Sequence, residues 1–273
     1  MTDSPRGTGF IPDPPGHCWT HFRSGHPGAY KALPLGIPDS AGPRDFAAPV
    51  SDQDGAGECV SHGILDTIYC VLGSKGRPLP AVLSHRAGYA IGRSIDRANY
   101  TPLGRPLPVL DDIGCQPNQL VRALAVYGCA LSTEMDGGTL DAVPAKINDE
   151  LLLGEWEACA RRRLPVDWVT VGDGDADKID QLVQALATGY PFALAIEADG
   201  EFQRYDGTGI LDTQGGALNH MIHCHYYRTN AAHRREFLVQ NSWSRQWGLG
   251  GLAWTSEEFM RAAGNILIPR VTT

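Results

Sequence analysis

QDGAGECVSHGILDTIYCVLGS, residues 53–74, is the stretch on which the fold turns. It opens as a glycine-bearing turn and passes into an apolar run. Val60, Ile64, Leu65, Ile68 and Leu72 recur at helical spacing, so the run predicts a helix with Cys59 at or near its N-terminus. A helix N-terminus favours an anion. A thiol placed there ionises more readily than a free cysteine, whose pKa is ~8.5.

Upstream, residues 1 to about 46 are rich in proline and glycine, with Pro12, Pro14, Pro15, Pro34, Pro38 and Pro43. This predicts an extended arm (1–46) ahead of a folded domain (47–273). Downstream, Ser84 stands where a helix N-cap belongs. Residues 93–117 have loop texture, with Pro102, Gly104, Pro106 and Pro108. Leu120, Leu124 and Tyr127 mark a second helix stopped by Gly128. Residues 131–176 carry the weakest pattern, with a helix expected within 151–163. Asp173, Asp175 and Asp177 have the alternation of a calcium loop. However, Lys178 stands where that loop needs glycine and Gln184 where it needs glutamate, so an acidic turn is expected. Ile179, Leu182, Val183 and Leu186 form an amphipathic helix ending at Gly189. Strand-like runs follow at 192–196, 218–227, 237–240 and 251–254. Helices crowd the first half and strands the second, which predicts an α+β protein with a helical lobe followed by an antiparallel sheet lobe.

Composition narrows the partners. Asp and Glu number 31 against 23 Lys and Arg, a net charge of −8. That balance argues against nucleic acid and anionic membrane as partners. No 18-residue apolar run exists to span a bilayer. The N-terminus lacks the pattern of a secretory signal. Seven cysteines at 18, 59, 70, 115, 129, 159 and 224 include no CxxC pair, so reduced thiols and a cytoplasmic setting are expected, without metal or cofactor. His62 reads as satisfied structural polarity. His223 and His225 lie on the strand face opposite His220, and a hydrogen-bonded or exposed role is expected for them.

Three segments matter together: Gln53 to Cys59, Gly215 to His220, and Gln240 to Gly248 with its Asn241-Ser-Trp243 and Trp247-Gly248. In order and spacing they resemble the signature blocks of papain-like cysteine peptidases, of a bacterial type without the helical pro-segment. Leu83-Ser84, Gly114-Cys115-Gln-Pro117 and Phe202-Gln-Arg-Tyr205 are similar to further blocks of that family. The resemblance implies a papain-like two-lobe fold with the site in the cleft between the lobes. It implies catalytic roles for Cys59, His220, Asn241 and Gln53. Cys59 is the expected nucleophile and His220 its base and, later, the acid for the leaving amine. Asn241 fixes the imidazole tautomer and Trp243 shields that bond. Gln53 and the Cys59 N–H donate to the oxyanion. Gly57, Glu58, Gly114, Cys115, Leu218, Asn219, Met221 and Trp243 are expected around the substrate. The chain departs from the family pattern at Ala56, where secreted members place a disulfide cysteine, at Cys115 in place of a second glycine, and at Glu58 in place of a small residue. The activity implied is hydrolysis of a peptide or other amide through a thioester acyl-enzyme. The alternative is a peptide ligase or acyltransferase with an amine acceptor. A catalytically silent binding module is disfavoured, because the Gln-Cys-His-Asn set is complete.

Overall fold

The computed structural model describes residues 10–12, 36–94, 114–134, 162–164, 166–172 and 175–272. The described elements begin with the short strand β1 (Ser40–Ala41) and three helices, α1 (Cys59–Ser74), α2 (His85–Ser94) and α3 (Pro117–Tyr127). There follow β2 (Val166–Val171), α4 (Lys178–Ala187), β3 (Phe192–Ile196) and α5 (Gly200–Arg204). The chain closes with β4 (His220–Thr229), β5 (Arg235–Gln240), β6 (Leu252–Thr255), α6 (Glu257–Ala262) and β7 (Gly264–Val271). The strands form one antiparallel sheet in the order β2-β7-β3-β4-β5-β6, with β1 on β4. This is the α+β arrangement expected, helices first and sheet second.

Local signals explain most boundaries. The Ser84 hydroxyl accepts from the Ala87 N–H at 3.2 Å and caps α2. Gln116 and Gln119 close a capping box on α3, whose first residue is Pro117. Asp199 caps α5 and Ser256 caps α6. Asp175 accepts from the Gly172 N–H and Asp177 from the Gln181 amide. These two carboxylates therefore serve an acidic turn. Residues 151–161, within which a helix was expected, lie outside the described residues.

Besides the two-residue β1, two strands have no counterpart among the expectations. β2 lies in the weakly patterned stretch, and β7 contains Pro269, which pairs with Trp168. A proline lowers any strand signal read from sequence, yet it is tolerated where its missing N–H costs no ladder bond.

The sheet separates two cores. Ala193, Ala195 and Met221 face α1 and join the core built by Ile64, Leu65, Ile68 and the other helices. Phe192, Leu194, Ile196, Ile222 and Cys224 face the other way, toward α4 and the aromatic residues of the sheet lobe. The period-2 alternation of β3 and β4 produces this division. Small side chains let α1 lie close to the sheet. A Cβ at Gly63 would stand 2.7 Å from Met221 Cγ. The end of the arm belongs to the sheet, since Ser40 and Ala41 pair with Arg228 and Tyr227. No described helix is long and apolar enough to cross a membrane.

Candidate active site

Cys59 is the first residue of α1, with Glu58 at the N-cap position. The turn before it is locked by its own bonds. Gln53 Nε2 donates to the Ala56 carbonyl at 2.5 Å, and the Ala56 N–H donates to the Gln53 carbonyl at 2.8 Å. Asp54 and Gly55 take positive φ there; glycine does so without strain and aspartate at modest cost. The same turn is tied to the sheet lobe. The Gln53 N–H donates to the Ser242 carbonyl at 2.9 Å, and the Ser242 hydroxyl donates to Gln53 Oε1 at 2.5 Å. Ser244 N–H reaches the Ser51 carbonyl at 3.0 Å, and Asp52 bridges Trp243. Thus the segment before the nucleophile and the Asn241-Ser-Trp243 segment, about 190 residues apart in sequence, are one hydrogen-bonded unit.

His220 opens β4, and its Nε2 lies 2.8 Å from Asn241 Oδ1. Since the amide oxygen can only accept, Nε2 carries the proton and Nδ1 presents its lone pair. Among the described residues Nδ1 has no hydrogen-bond partner. Trp243 lies over the imidazole with ring centroids 4.6 Å apart, and Phe202 meets it edge-on at 6.0 Å. Phe202 in turn packs on Trp243 and Trp247, and accepts the Trp247 indole N–H at its carbonyl. This aromatic wall keeps water off the His220–Asn241 bond, which strengthens it. Burial lowers the His220 pKa to about 4, although the hydrogen bond to Asn241 opposes that shift. The ring is neutral at pH 7 unless an anion stands beside it. Next to His220, Met221 rests on Gly63 of α1, one turn from Cys59. The start of β4 and the start of α1 therefore lie side by side, and Cys59 and His220 are both fully buried.

The residues expected around the substrate divide into two groups. Gly114, buried and at φ 97°, and Cys115 form a strip held by the Tyr89 hydroxyl, which accepts the Gly114 N–H at 3.1 Å. Asn219 is half-buried, and its side chain accepts the Ala198 N–H at 2.8 Å. Leu218 is half-buried against the helical core, and Gly57 is buried in the turn before Cys59. Glu58 and Met221 lie elsewhere. Met221 is wholly interior, between α1 and β4, and Glu58 is wholly buried with Oε2 3.7 Å from His62 Nε2. Both side chains are interior, as are those of Cys59 and His220. His223 and His225, expected to be hydrogen-bonded or exposed, are each 1% exposed between β4 and α1. β4 is covered on both faces, so alternation along it separates two interiors.

Two features went unread in the sequence. Ser242, inside a recognised motif, anchors Gln53. The arm is also used: Phe10 N–H reaches the Asn219 carbonyl at 3.4 Å, and Ile11 N–H reaches the Cys115 carbonyl at 3.1 Å. Phe10 is buried in the same cluster as Cys59 and Cys115. GFIPDPP, residues 9–15, resembles the opening of bacterial members of the papain-like family, but only its contact partners reveal where Phe10 and Ile11 dock.

Residues 156–264 match the Papain family cysteine protease family, a span that includes His220 and Asn241 but not Cys59. Ananain and fruit bromelain of Ananas comosus are each 36% identical over 61 residues, 22% of this chain. The match spans only 18% and 17% of those relatives' lengths. Among solved structures, xylellain, a cysteine protease from Xylella fastidiosa, superposes with a TM-score of 0.71 at 18% identity, covering 98% of this chain and 97% of that one. The bromelain protease from Ananas comosus in complex with the E64 inhibitor gives 0.58 at 17% identity, covering 86% and 99%. The first half of the chain, with Cys59, is thus tied to these proteins by fold, and the second half by sequence as well. The chain thus has the fold of the papain-like cysteine peptidases, and residues 156–264 match that family in sequence.

Proposed function

We propose that the chain hydrolyses peptide or related amide bonds through a thioester acyl-enzyme on Cys59. The observation that carries this is the His220–Asn241 bond under Trp243, which leaves Nδ1 with an open lone pair beside the start of α1. Nδ1 takes the proton of the Cys59 thiol. The resulting thiolate and imidazolium each favour the other, and the N-terminus of α1 favours the thiolate further. The two groups therefore titrate as a pair. The thiolate attacks the amide carbonyl. The oxyanion is received by the Cys59 N–H and the second hydrogen of Gln53 Nε2, whose first hydrogen is held by Ala56. His220 gives its proton to the leaving amine and then takes one from the attacking water, which releases the acid and restores the thiol. Gly114, Cys115 and Asn219 supply backbone groups for an extended peptide, once Phe10 and Ile11 are displaced from Cys115 and Asn219. Residues 47–273 make the catalytic domain and 1–46 an arm, of which Phe10, Ile11, Ser40 and Ala41 contact that domain. The five described cysteines form no disulfide with one another, which supports a reducing compartment such as the cytoplasm.

The test is product mass spectrometry on a peptide library, with and without an added amine, combined with labelling by an epoxide inhibitor. Acid products and modification of Cys59 alone support the proposal. New amide products in the presence of amine would assign the acyl group to an amine acceptor instead. Absence of both labelling and turnover would overturn the catalytic assignment.

A further inference from the structure

One turn below the nucleophile, α1 carries a second polar cluster that the acyl-transfer chemistry does not use. His62 and Asp66 stand on one face of α1, and His85 opens α2 opposite them. The three are 1%, 4% and 2% exposed. One donor atom from each lies within 4.8 Å of the other two. His85 Nε2 and Asp66 Oδ1 are 2.7 Å apart, and the His62 and His85 rings lie side by side with centroids at 3.8 Å. Ser51 Oγ, 2.7 Å from His62 Nδ1, fixes that nitrogen and leaves Nε2 as the donor. Among the described residues His62 Nε2 and His85 Nδ1 have no hydrogen-bond partner, and neither do His223 Nε2 and His225 Nδ1 on the facing strand.

Plain packing accounts poorly for this arrangement. Buried polar atoms are nearly always satisfied, and each exception asks for a missing group. Here several exceptions lie near two buried carboxylates, Asp66 and Glu58, the latter with Oε2 3.7 Å from His62 Nε2. Two imidazoles and a carboxylate are the donor set of zinc and its first-row neighbours. The Ser51 hydroxyl, by accepting the His62 Nδ1–H, would supply the outer hydrogen bond that orients a ligating histidine.

We propose that His62, Asp66 and His85 bind one divalent transition-metal ion, of the zinc class, as a buried centre joining α1 to α2. For His85 Nε2 to bind the ion its ring proton sits on Nδ1, so the Nε2–Asp66 hydrogen bond gives way to a metal bond from each group. Around zinc at ~2.1 Å, tetrahedral ligand atoms sit roughly 3.4 Å apart. His85 Nε2 and Asp66 Oδ1, at 2.7 Å, therefore need to part by about 0.7 Å, and the widest pair, within 4.8 Å, to close by up to about 1.4 Å, both within reach of side-chain rotation. The role is structural: the ion holds the helix pair beneath Cys59, and no substrate group reaches it.

The test must separate this centre from Cys59 and His220, which can also take zinc. It is therefore run on Cys59→Ala, the full chain otherwise unchanged. After dialysis against metal-free buffer, zinc or cobalt(II) is added and bound metal is measured. The expected result is about one equivalent per chain, a thermal midpoint raised by several degrees, and cobalt d–d bands without thiolate charge transfer. Cys59→Ala/His85→Gln and Cys59→Ala/Asp66→Asn should each bind at least ten-fold more weakly, while Cys59→Ala/His220→Gln should bind unchanged. The proposal is overturned if Cys59→Ala binds less than a tenth of an equivalent. It is equally overturned if binding persists in both ligand variants, or if it is lost in the His220 variant. The first readout needs no ligand variant to fold.

Discussion

The two faces of β4 carry histidines with similar burial and different partners. On one face His220 is fully buried, its Nε2 bonded to Asn241 and its ring covered by Trp243. On the other, His223 is 1% exposed beside His225, with its Nε2 unpartnered among the described residues. Burial is the largest cause in both and lowers both pKa values, to about 4 for His220 and about 3 for His223. What differs is the second contribution. Asn241 raises the His220 value, whereas the nearby His85 lowers that of His223 further. Burial alone makes a neutral histidine. An amide acceptor on one nitrogen, with the other left open, makes a base aimed in one direction.

The strongest test of that contrast removes the group His220 is aimed at. Cys59→Ala should lower turnover by at least about 10⁴-fold with unchanged circular dichroism, because no other residue forms the thioester. Residual activity above a tenth of wild type would remove Cys59 from the reaction. Next comes the orienting bond. Asn241→Ala should lower kcat by about 10³-fold, whereas His223→Asn, on the opposite face, should change it less than about three-fold if only partnering distinguishes the faces. Similar losses in both variants would erase the distinction.

Gln53→Ala should lower kcat by about 10²–10³-fold while leaving the alkylation rate of Cys59 nearly unchanged, since its amide serves the oxyanion and not the thiolate. Ser242→Ala frees Gln53 without deleting it and should cost less, about ten-fold. If alkylation falls in parallel with kcat, Gln53 supports the turn before Cys59 and not the reaction.

Stability against pH probes the shared burial. Between pH 6.5 and 4 the unfolded chain protonates position 220 and the folded chain does not, so ν_U exceeds ν_N and stability falls as pH falls. From pH 7 to pH 5 His220 alone should account for roughly 2 kcal/mol of lost unfolding free energy. Urea melts of Cys59→Ala and Cys59→Ala/His220→Gln at both pH values measure it, since without the thiolate His220 titrates alone. An equal loss in the two proteins would mean that His220 titrates in the fold as it does in the unfolded chain. The smallest effect concerns the arm. Ile11→Pro deletes the N–H that meets the Cys115 carbonyl and should lower KM by about two- to five-fold, as an interaction of about 0.5–1 kcal/mol is removed. An unchanged KM would show that this contact does not compete with substrate.

Local pattern was enough for much of the framework. The 3.6-residue apolar period after Cys59 gave α1, and Ser84, Gly128 and Gly189 marked real helix boundaries. β2 and β7 escaped because a weak pattern and Pro269 mask them, and their stability comes from pairing with each other. The arm's last residues read as loop because two-residue β1 exists only through its ladder to β4.

The sequence by itself determined which chemistry was present: a thiol at a helix start, a histidine opening a strand, and an Asn-Ser-Trp run. These are choices of residue type and of local spacing. Only the tertiary structure decided who meets whom: that Ser242 holds Gln53, that Phe10 shares a buried cluster with Cys59, and that His62, Asp66 and His85 converge beneath it. The physical reason is that hydrogen bonds and desolvation depend on distance in space, and neighbours tens to hundreds of residues apart leave no trace in local periodicity.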